Sequence, residues 1–316
     1  MLRPPVAMAL ARDEREVPGP DPRWVYEPKF DGWRAALFTA TGVVQSRRDN
    51  NLAKRFPEIA AAARGLGDLV VDGELVALRE GRLDFGALTS MPKQRADAGI
   101  AIYFIAFDLL ADTDTDGDGH EDLRGEPYRT RRTRLEQRFA GARPPLQLVP
   151  ATTDRTEAMQ WMRPEAATVG IEGLVAKDTT KPYRAGRTGD WRKVRQKIVV
   201  DAVVTGVAGA LARPEALVLA RPDQDGVLQH IGLSLPLPPA LRNATAPLLE
   251  PTGEARRRLP GVLGSDGTEY QPVHPTLVVE VEAEATVVSF NARLRPRIHR
   301  LRTDLTPDEL DDPTPR

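Results

Sequence analysis

The sequence predicts an α+β fold with much antiparallel sheet, followed by a small all-β barrel. Up to about residue 195, strand-like runs alternate with helical ones. Residues 100–111 form one continuous apolar, β-branched and aromatic run, which is typical of a buried strand. After Lys197 the sequence changes to short strands separated by turn residues. We therefore predict two domains, residues 1–197 and residues 198–316.

The first predicted domain opens with a proline-rich segment, residues 1–23, which we expect to lie extended along the surface. Hydrophobic runs bounded by turn residues then predict strands, and helical spacing predicts helices. The predicted strands are VYEPKFDG (25–32), WRAALFTA (33–40), TGVVQSRR (41–48), DLVVDGELVAL (68–78), EGLVAKD (172–178) and DWRKVRQ (190–196). The predicted helices are RFPEIAAAARGL (55–66), TRRTRLEQRFA (130–140) and RTEAMQWMRPEA (155–166).

The second predicted domain is a succession of short strands with one helical piece, PPALRNATAPLL (238–249). Its predicted strands are VVDAVVTGVA (199–208), EALVLARP (215–222), GVLQHIGLSL (226–235) and TLVVEVEAEATVV (276–288). Glu280, Glu282 and Glu284 alternate with apolar residues, which indicates a half-buried strand. Short strands over about 115 residues suit a small barrel of the oligonucleotide-binding (OB) type.

The composition excludes several classes of protein. The chain has no cysteine, so it has neither disulfides nor a thiolate zinc site, and it suits a reducing cytoplasm. We expect a cytoplasmic protein, because no apolar run reaches the roughly 20 residues of a membrane span and the short run VAMALA does not make a secretory signal. The net charge is −1, yet arginines crowd residues 129–138, 184–195 and 293–302, so a neutral total could hide a basic face. Solvated surface arginines would explain each crowd equally well.

Lys29 is the first candidate functional residue, in the stretch VYEPKFDGWRAA. A lysine among hydrophobic neighbours is either a surface charge on a strand or a nucleophile whose pKa is lowered by burial and by nearby cations. The K-x-D-G pattern alone does not decide between them, because it is also a common turn sequence.

Further motifs follow Lys29 in a fixed order. They are Ser46-Arg47, Asp72-Gly73-Glu74, Phe107-Asp108, Glu172-Gly173 with Lys177, and Lys193 with Arg195. This ordered set resembles the nucleotidyltransferase family of ATP-dependent DNA ligases and mRNA capping enzymes, over most of the chain. The resemblance implies a nucleotidyltransferase (ATP-grasp-like adenylation) domain followed by an OB-fold domain.

The resemblance also implies a covalent mechanism. Lys29 would attack the α-phosphorus of ATP, expel pyrophosphate and carry AMP as a phosphoramidate. The AMP would pass to the 5′-phosphate of a DNA nick, and the 3′-hydroxyl would then displace it. The implied cofactors are ATP and Mg²⁺, with Mn²⁺ as an alternative ion.

Roles at the phosphates and the ribose follow from the resemblance and from charge. Lys193 and Arg195 alternate on a strand, so they share a face and can both reach the α-phosphate. Glu172 offers a hard oxygen ligand that suits Mg²⁺. Glu74 and Arg34 are similar to the family's ribose-contacting pair. Each of these residues is also compatible with a plain surface charge on a strand.

At the base, Phe107 resembles the aromatic residue that stacks on adenine, although a core phenylalanine fits the same apolar strand. The resemblance places Glu27 near the base, Lys177 near the phosphate and Arg47 at the 5′-phosphate of the nick. Asp31 is expected to orient the loop that follows Lys29.

Near the C-terminus, Arg300, Arg302 and Asp304 resemble an R-x-D element that orients the departing pyrophosphate. Leu305 stands where the family often has a lysine, and a basic strand is an equal alternative. The arginines at 293, 295, 297, 300 and 302 also predict a basic strip that would pair with DNA phosphates.

The acidic stretch from Asp112 to Asp122 mimics an EF-hand loop. Asp112, Asp114, Asp116 and Gly117 fit its first positions, but Leu123 replaces the final glutamate and a strand precedes the loop. We therefore interpret it as an acidic surface insertion that tolerates replacement.

These observations together predict an ATP-dependent DNA ligase that seals nicks, serves DNA repair and acts as a monomer away from membranes. Its partners would be nicked double-stranded DNA and repair proteins. An NAD-dependent ligase is disfavoured because it would need a cysteine zinc site. Two alternatives stay open: an RNA ligase or capping-type guanylyltransferase, and a non-catalytic nucleic-acid-binding relative.

Overall fold

A computed structural model describes residues 2–113, 120–223, 225–259, 267–284 and 295–310. The chain divides into two compact units between Arg195 and Gln196, close to the boundary predicted from sequence. Mixed α and β structure with mainly antiparallel sheets, as predicted, is confirmed. No helix in the described part of the chain is long and apolar enough to cross a membrane.

The first unit contains eleven strands and five α-helices among its described residues. The strands are β1 Ala9–Asp13, β2 Trp24–Phe30, β3 Trp33–Phe38, β4 Val43–Ser46, β5 Val70–Arg79, β6 Arg82–Leu83, β7 Ala101–Thr113, β8 His120–Asp122, β9 Leu146–Leu148, β10 Ile171–Asp178 and β11 Gly186–Arg195. The helices are α1 Pro57–Ala63, α2 Pro92–Asp97, α3 Tyr128–Phe139, α4 Arg155–Ala158 and α5 Pro164–Thr168.

These strands form two sheets. One has the order β1-β11-β10-β2, and the other has the order β4-β3-β5-β7-β8 with β6 added to β5 and β9 added to β7. The β1–β11 and β7–β9 pairs are parallel, and the remaining pairs are antiparallel. Because β2 belongs to one sheet and β3 to the other, the two residues Asp31 and Gly32 carry the chain from sheet to sheet.

The core of the larger sheet lies between its strands and the helices that cover it. Leu37, Phe104 and Leu109 from the strands pack with Phe56 beside α1 and Leu135 of α3, and all are fully buried. Fully burying a side chain of this size stabilises the fold by about 1.5–3 kcal/mol. This covered sheet is the rigid support on which the polar side chains described below are held.

Two of the irregularities in the ladders of the first unit are β-bulges at residues of the predicted site. Ile171 and Gly173 face consecutive residues of β2, so Glu172 between them is an extra residue in β10. Asp72 and Gly73 face residues 108 and 106 of β7, so Phe107 is an extra residue there. A bulge twists the strand and turns one side chain away from its regular direction.

Three predictions for the first unit need correction. The segment 1–23 is not only extended, because β1 joins the sheet beside β11. The helix predicted over 155–166 is broken into α4, a 3₁₀ turn at Met159–Met162 and α5, which begins at Pro164 because proline cannot continue a preceding helix.

The two ends of the acidic insertion lie in the antiparallel strands β7 and β8 rather than in a loop. Asp112 lies in β7, is 4% exposed and pairs with Arg138 of α3 at 2.7 Å, while Glu121 and Asp122 lie in β8. Asp114, Asp116 and Gly117, which carried the resemblance to an EF-hand, lie outside the described residues.

The second unit is built on one long strand. Among its described residues the strands are β12 Lys197–Ala210, β13 Arg213–Pro222, β14 Leu228–Leu233, β15 Arg257–Leu259, β16 Thr268–Pro272, β17 Val278–Glu284 and β18 Arg297–Leu301, and the α-helix is α6 Pro239–Thr245. The sheet order is β14-β13-β12-β16-β15, and β17 pairs with both β12 and β18. Valines and leucines on the inner face of β12, β13 and β17 form a separate core, with Val204, Leu219 and Val279 fully buried.

Candidate active site

Lys29 lies near the end of β2, in the sheet formed with β10 and β11. Gly173 of β10 faces Lys29 on one side and Arg195 of β11 on the other. An alanine Cβ at residue 173 would lie 2.1 Å from the Val194 carbonyl oxygen, and the φ angle there is +147°, so only glycine lets these strands approach. Gly173 thus lies between Lys29 and Arg195, which are on the two strands that flank β10.

Glu172 uses its bulge to reach Lys29. Its carboxylate accepts a hydrogen bond from the Lys29 amine and lies 4.0 Å from Arg195 Nε. Glu172 is 4% exposed, whereas 20% of the Lys29 side chain is exposed. A buried carboxylate beside a more open amine leaves the amine accessible to a ligand.

Lys193 and Arg195 share one face of β11, as their spacing predicted. Asp13 at the end of β1 pairs with both, with its Oδ1 atom 3.2 Å from Lys193 Nζ and 3.3 Å from Arg195 Nη1. Trp191 has the same parity on this strand and is buried. The face therefore carries two cations and an aromatic ring in sequence.

Burial favours a neutral amine at Lys29. Burial lowers the pKa of Lys29 below its usual value, and Arg195 and Lys193 lower it further, while Glu74 and Asp31 act against this shift. A lowered pKa gives more of the unprotonated amine near neutral pH, which is the nucleophilic form.

Glu74 of β5 and Arg34 of β3 are directly opposite each other on adjacent strands of the larger sheet. Burial raises the pKa of Glu74 to about 7, and the positive charges of Lys29 and Arg34 oppose this shift. Gly32 leaves room for the Glu74 side chain, because a Cβ at residue 32 would lie 2.7 Å from Glu74 Cγ and 2.3 Å from the Leu75 carbonyl oxygen. The predicted Arg34–Glu74 pair is thus brought together near Lys29.

A buried carboxylate fixes the direction of Arg34. Arg34 donates to both oxygens of Asp72, at 2.6 and 2.5 Å, and the Tyr183 hydroxyl donates to Asp72 at 2.5 Å. Asp72 is fully buried, and its charge raises the pKa of Arg34 against the opposing effect of burial. The guanidinium carbon lies 4.6 Å from the centre of the Phe107 ring and 5.2 Å from that of Trp191.

Phe107 stands at its bulge with the ring half-buried. The ring meets Trp191 edge-on, with 5.9 Å between ring centres. Its carbonyl, freed from the regular ladder, accepts hydrogen bonds from Lys177 Nζ at 2.8 Å and from the Tyr128 hydroxyl at 3.3 Å. The bulge thus determines the direction of both the Phe107 ring and the Phe107 carbonyl.

Behind Phe107 lies a buried polar cluster. Lys177 Nζ pairs with Glu27 at 2.7 Å, and the Tyr128 hydroxyl donates to the same carboxylate. Glu27 is 2% exposed and Lys177 1% exposed, and burial lowers the pKa of Lys177. The structure therefore places Lys177 with Glu27 and Phe107, rather than with the phosphate-binding candidates Lys193 and Arg195.

Some predicted residues lie outside this assembly. Arg47 is exposed in the turn after β4. Arg302 belongs to the second unit, where it donates to Asp201 at 2.9 Å and to Asp304 at 2.9 Å. Asp304 in turn has its pKa lowered to about 2 by Arg302.

Two arginines of the predicted basic strip, Arg300 and Arg302, are paired with carboxylates, and Arg297 is exposed in β18. Arg300 pairs with Glu280 at 2.8 Å, in addition to the two carboxylates on Arg302. Arg295 donates to the Ser234 carbonyl at 3.1 Å. Arg293 lies outside the described residues.

Sequence analysis missed Asp13, Tyr128 and Tyr183. Tyr128 begins α3, and Tyr183 lies between β10 and β11, so neither belongs to one of the motif strands. Asp13 lies in the segment that we expected to lie extended along the surface. The short apolar run VAMALA at residues 6–11, which overlaps β1, is the signal for a strand there.

The site offers one carboxylate, Glu172, to a divalent cation. Within the residues that the structure describes, no group of three or more His, Cys, Asp or Glu side chains could hold a metal ion. Mg²⁺ is often bound through one or two carboxylates plus substrate phosphates. Glu172 is such a carboxylate, so the residues fit a cation that is held mainly by a phosphorylated ligand.

The arrangement thus combines a nucleophile, an anion site and an aromatic slot. The Lys29 amine lies beside the cations of Lys193 and Arg195, which suit a phosphate. Phe107, with Glu27 and Lys177 behind it, offers a ring for stacking and both a donor and an acceptor. Such a site can bind a nucleotide and accept a phosphoryl group covalently.

Comparisons with known proteins agree with this description. A family model described as the ATP dependent DNA ligase domain matches residues 15–195. DNA ligase C2 of Mycolicibacterium smegmatis is 35% identical over 257 residues, with 76% of this chain and 69% of that protein covered. DNA ligase C of Mycobacterium tuberculosis is 32% identical over 268 residues, with 79% of this chain and 72% of that protein covered. A solved structure of mycobacterial DNA ligase D, complexed with ATP and MES, has a TM-score of 0.53 at 25% identity and covers 97% of this chain and 98% of that chain.

Proposed function

The chain belongs to the family of ATP-dependent DNA ligases, and from this premise we propose that it seals nicks in double-stranded DNA through a lysyl-AMP intermediate on Lys29. The observation that carries the proposal is the position of the Lys29 amine, whose pKa is lowered, between the carboxylate of Glu172 and the cations of Lys193 and Arg195. We further propose that the activity serves DNA repair in the cytoplasm and that the protein acts as a monomer.

In the first step the lone pair of Lys29 Nζ attacks the α-phosphorus of ATP. The bond from the α-phosphorus to the bridging oxygen breaks, and pyrophosphate leaves with that electron pair. The amine loses its proton, for which a lowered pKa is an advantage. Lys193 and Arg195 hold the α-phosphate, so that the negative charge on its oxygens is balanced in the transition state.

The nucleoside binds along the larger sheet. Glu74 and Arg34 contact the ribose, with Arg34 directed by Asp72. The Phe107 ring stacks on adenine, which contributes about 1–3 kcal/mol. Glu27 and Lys177 read the edge of the base, with the carboxylate accepting and the ammonium donating.

The cofactors of this proposal are ATP and Mg²⁺, or Mn²⁺ in its place. Glu172 is the residue that would hold the cation, together with phosphate oxygens. When bound, the cation supplies positive charge to the phosphates.

In the later steps the AMP passes to the DNA. A 5′-phosphate oxygen at the nick attacks the phosphorus of Lys29-AMP and the lysine nitrogen leaves; the 3′-hydroxyl then attacks the DNA phosphate and AMP leaves. Arg47, exposed after β4, contacts the 5′-phosphate. We assign residues 1–197 as the adenylation domain and residues 198–316 as an OB-fold domain, whose Arg302 acts on pyrophosphate in the first step.

The central test is covalent labelling. The protein is incubated with ATP labelled in the α-phosphate, and the modified peptide is mapped. Lys29→Ala should remain unlabelled, while the control Lys54→Ala, at an exposed lysine, should label like the wild type. Labelling of Lys29→Ala to the wild-type extent would refute the proposal, and labelling from GTP rather than ATP would favour a capping-type guanylyltransferase.

Arg302 is tested by separating the steps. Arg302→Ala should slow lysine adenylation and leave sealing of a pre-adenylated nick largely intact, because that last step does not involve pyrophosphate. Equal losses in both assays would show that Arg302 acts on DNA or on stability instead.

A further inference from the structure

The carboxylate of Asp13, at the end of β1, contacts Lys193 and Arg195, the two cations that the proposed function assigns to the α-phosphate. Asp13 Oδ1 is 3.2 Å from Lys193 Nζ and 3.3 Å from Arg195 Nη1. The backbone enforces this contact, because β1 runs parallel to β11 with Asp13 facing Lys193, and the Glu14 amide donates to the Lys193 carbonyl at 2.9 Å. The ion pairs are therefore part of the sheet and do not depend on a chance meeting of long side chains.

Asp13, the last residue of β1, and the adjacent Glu14 contact cations on opposite faces of the sheet. Asp13 pairs with Lys193 and Arg195, which share the face that carries the site. Glu14 instead lies 4.0 Å from Arg192, which has the other parity, and 3.8 Å from Arg12. The sequence thus places one carboxylate at the site and an adjacent one away from it.

Exposure gives the direction from which these groups meet a ligand. The Asp13 side chain is 56% exposed, whereas Lys193 is 17% and Arg195 33% exposed. The carboxylate thus covers the cations from the solvent side, where a nucleotide arrives. The carboxylate can leave the two cations with little change in its hydration, because more than half of the side chain is already exposed to water.

We propose that Asp13 is a resident anion that occupies Lys193 and Arg195 until the α-phosphate of ATP displaces it, and that it thereby sets the affinity for ATP. The inference rests on the proposed function of these two cations. Lys193 and Arg195 repel each other, so a carboxylate keeps them side by side while the site is empty. A phosphate offers more oxygens and more charge to the same donors, and so it can replace a single carboxylate.

Removing the charge of Asp13 should therefore strengthen ATP binding. Asp13→Asn keeps the size of the side chain and abolishes the competing charge. Exposed ion pairs of this kind each shift an equilibrium by about twofold to fivefold. Two pairs of about two- to fivefold each predict that the KM for ATP in Lys29 adenylation falls about four- to twenty-fivefold, with kcat changed by less than about twofold.

The experiment measures the rate of Lys29 adenylation against ATP concentration at fixed ionic strength. Asp13→Asn and a second charge-removing variant, Asp13→Ser, should both show the fall in KM. Asp13→Glu retains the charge and Glu14→Gln removes the adjacent one, so both should behave like the wild type. Raising the salt concentration should shrink the difference, since salt screens exposed charges.

Two results would overturn the inference. A KM of Asp13→Asn equal to or above that of Glu14→Gln would show that Asp13 does not compete with ATP. A fall in kcat at unchanged KM would show that Asp13 only positions the cations. Wild-type protein that forms no adenylate on Lys29 would instead refute the proposed function, and this inference with it.

Discussion

Replacing Gly173 with alanine tests how closely the three site strands must approach. Gly173 lies between Lys29 and Arg195 and follows Glu172. An added Cβ would stand 2.1 Å from the Val194 carbonyl oxygen, where ordinary contacts begin at 3.4 Å. The obstacle is backbone rather than a flexible side chain, so β10 and β11 would have to part by about 1 Å.

Two effects of different size follow from this geometry. The φ angle of +147° is disfavoured for alanine and costs about 1–3 kcal/mol of stability. The parting of the strands moves Arg195 and Lys193 away from Lys29, and a misplacement of about 1 Å can slow a reaction about 10²-fold. We therefore expect Gly173→Ala to fold with reduced stability and to form lysyl-AMP about 10²-fold more slowly.

Single-turnover adenylation and thermal unfolding measure these effects separately. Gly189→Ala in β11 is the matched control, because its φ angle of +88° imposes backbone strain while no atom lies within 4 Å of the added Cβ. The control should lose stability and keep its adenylation rate. Gly173→Ala with a rate within about threefold of Gly189→Ala would refute the argument that strand approach sets the site.

Three further substitutions test the buried charges. Asp108→Asn disrupts a fully buried pair with Arg131 and should lower the free energy of unfolding by about 3–5 kcal/mol. Asp122→Asn, in an exposed pair with Arg124, should lower it by less than about 1 kcal/mol. Denaturant titration compares the two variants, and equal losses would contradict the difference in burial between the pairs. Asp112→Ala should cost about 1–3 kcal/mol by leaving Arg138 without its buried acceptor, and no loss in the same titration would restore the interpretation as a surface insertion. The pKa of Glu74 in the folded state is raised to about 7 from 4.5, so the folded state binds more protons between these values and stability falls as pH rises through them. Glu74→Gln should remove this part of the fall between pH 4.5 and about pH 7, and an unchanged pH dependence would contradict the raised pKa.

The strands of the site could be predicted because their hydrophobic pattern is strong. Alternation and apolar runs located β2, β5, β7 and β10 correctly, and the two-residue spacing of Lys193 and Arg195 correctly placed them on one face. Helix α3 was also found, although its start at Tyr128 lies two residues before the predicted one. These strands bury consecutive residues on both faces, which makes their apolar runs strong, whereas α3 buries residues at helical spacing.

The rest depended on pairing, which a local pattern does not contain. β1 has five residues and owes its place to the parallel register with β11, far away in sequence. The bulges at Phe107 and Glu172 leave no mark on composition, since an extra residue in a strand looks like any other. The same holds for the Tyr183–Asp72 contact, which joins residues 111 positions apart.

The bulges explain why the motif residues cluster at the junction of the two sheets. The Lys29 end of the site lies on the smaller sheet and the Arg34 and Glu74 end on the larger, so a nucleotide bound as proposed would span the junction. A regular ladder would direct alternate side chains to opposite faces and would satisfy every carbonyl. The bulge at Glu172 brings a carboxylate to Lys29, and the bulge at Phe107 frees a carbonyl for Lys177, which belongs to the other sheet. The interruptions of the two ladders therefore supply contacts that tie the sheets together at the point where the ligand would cross them.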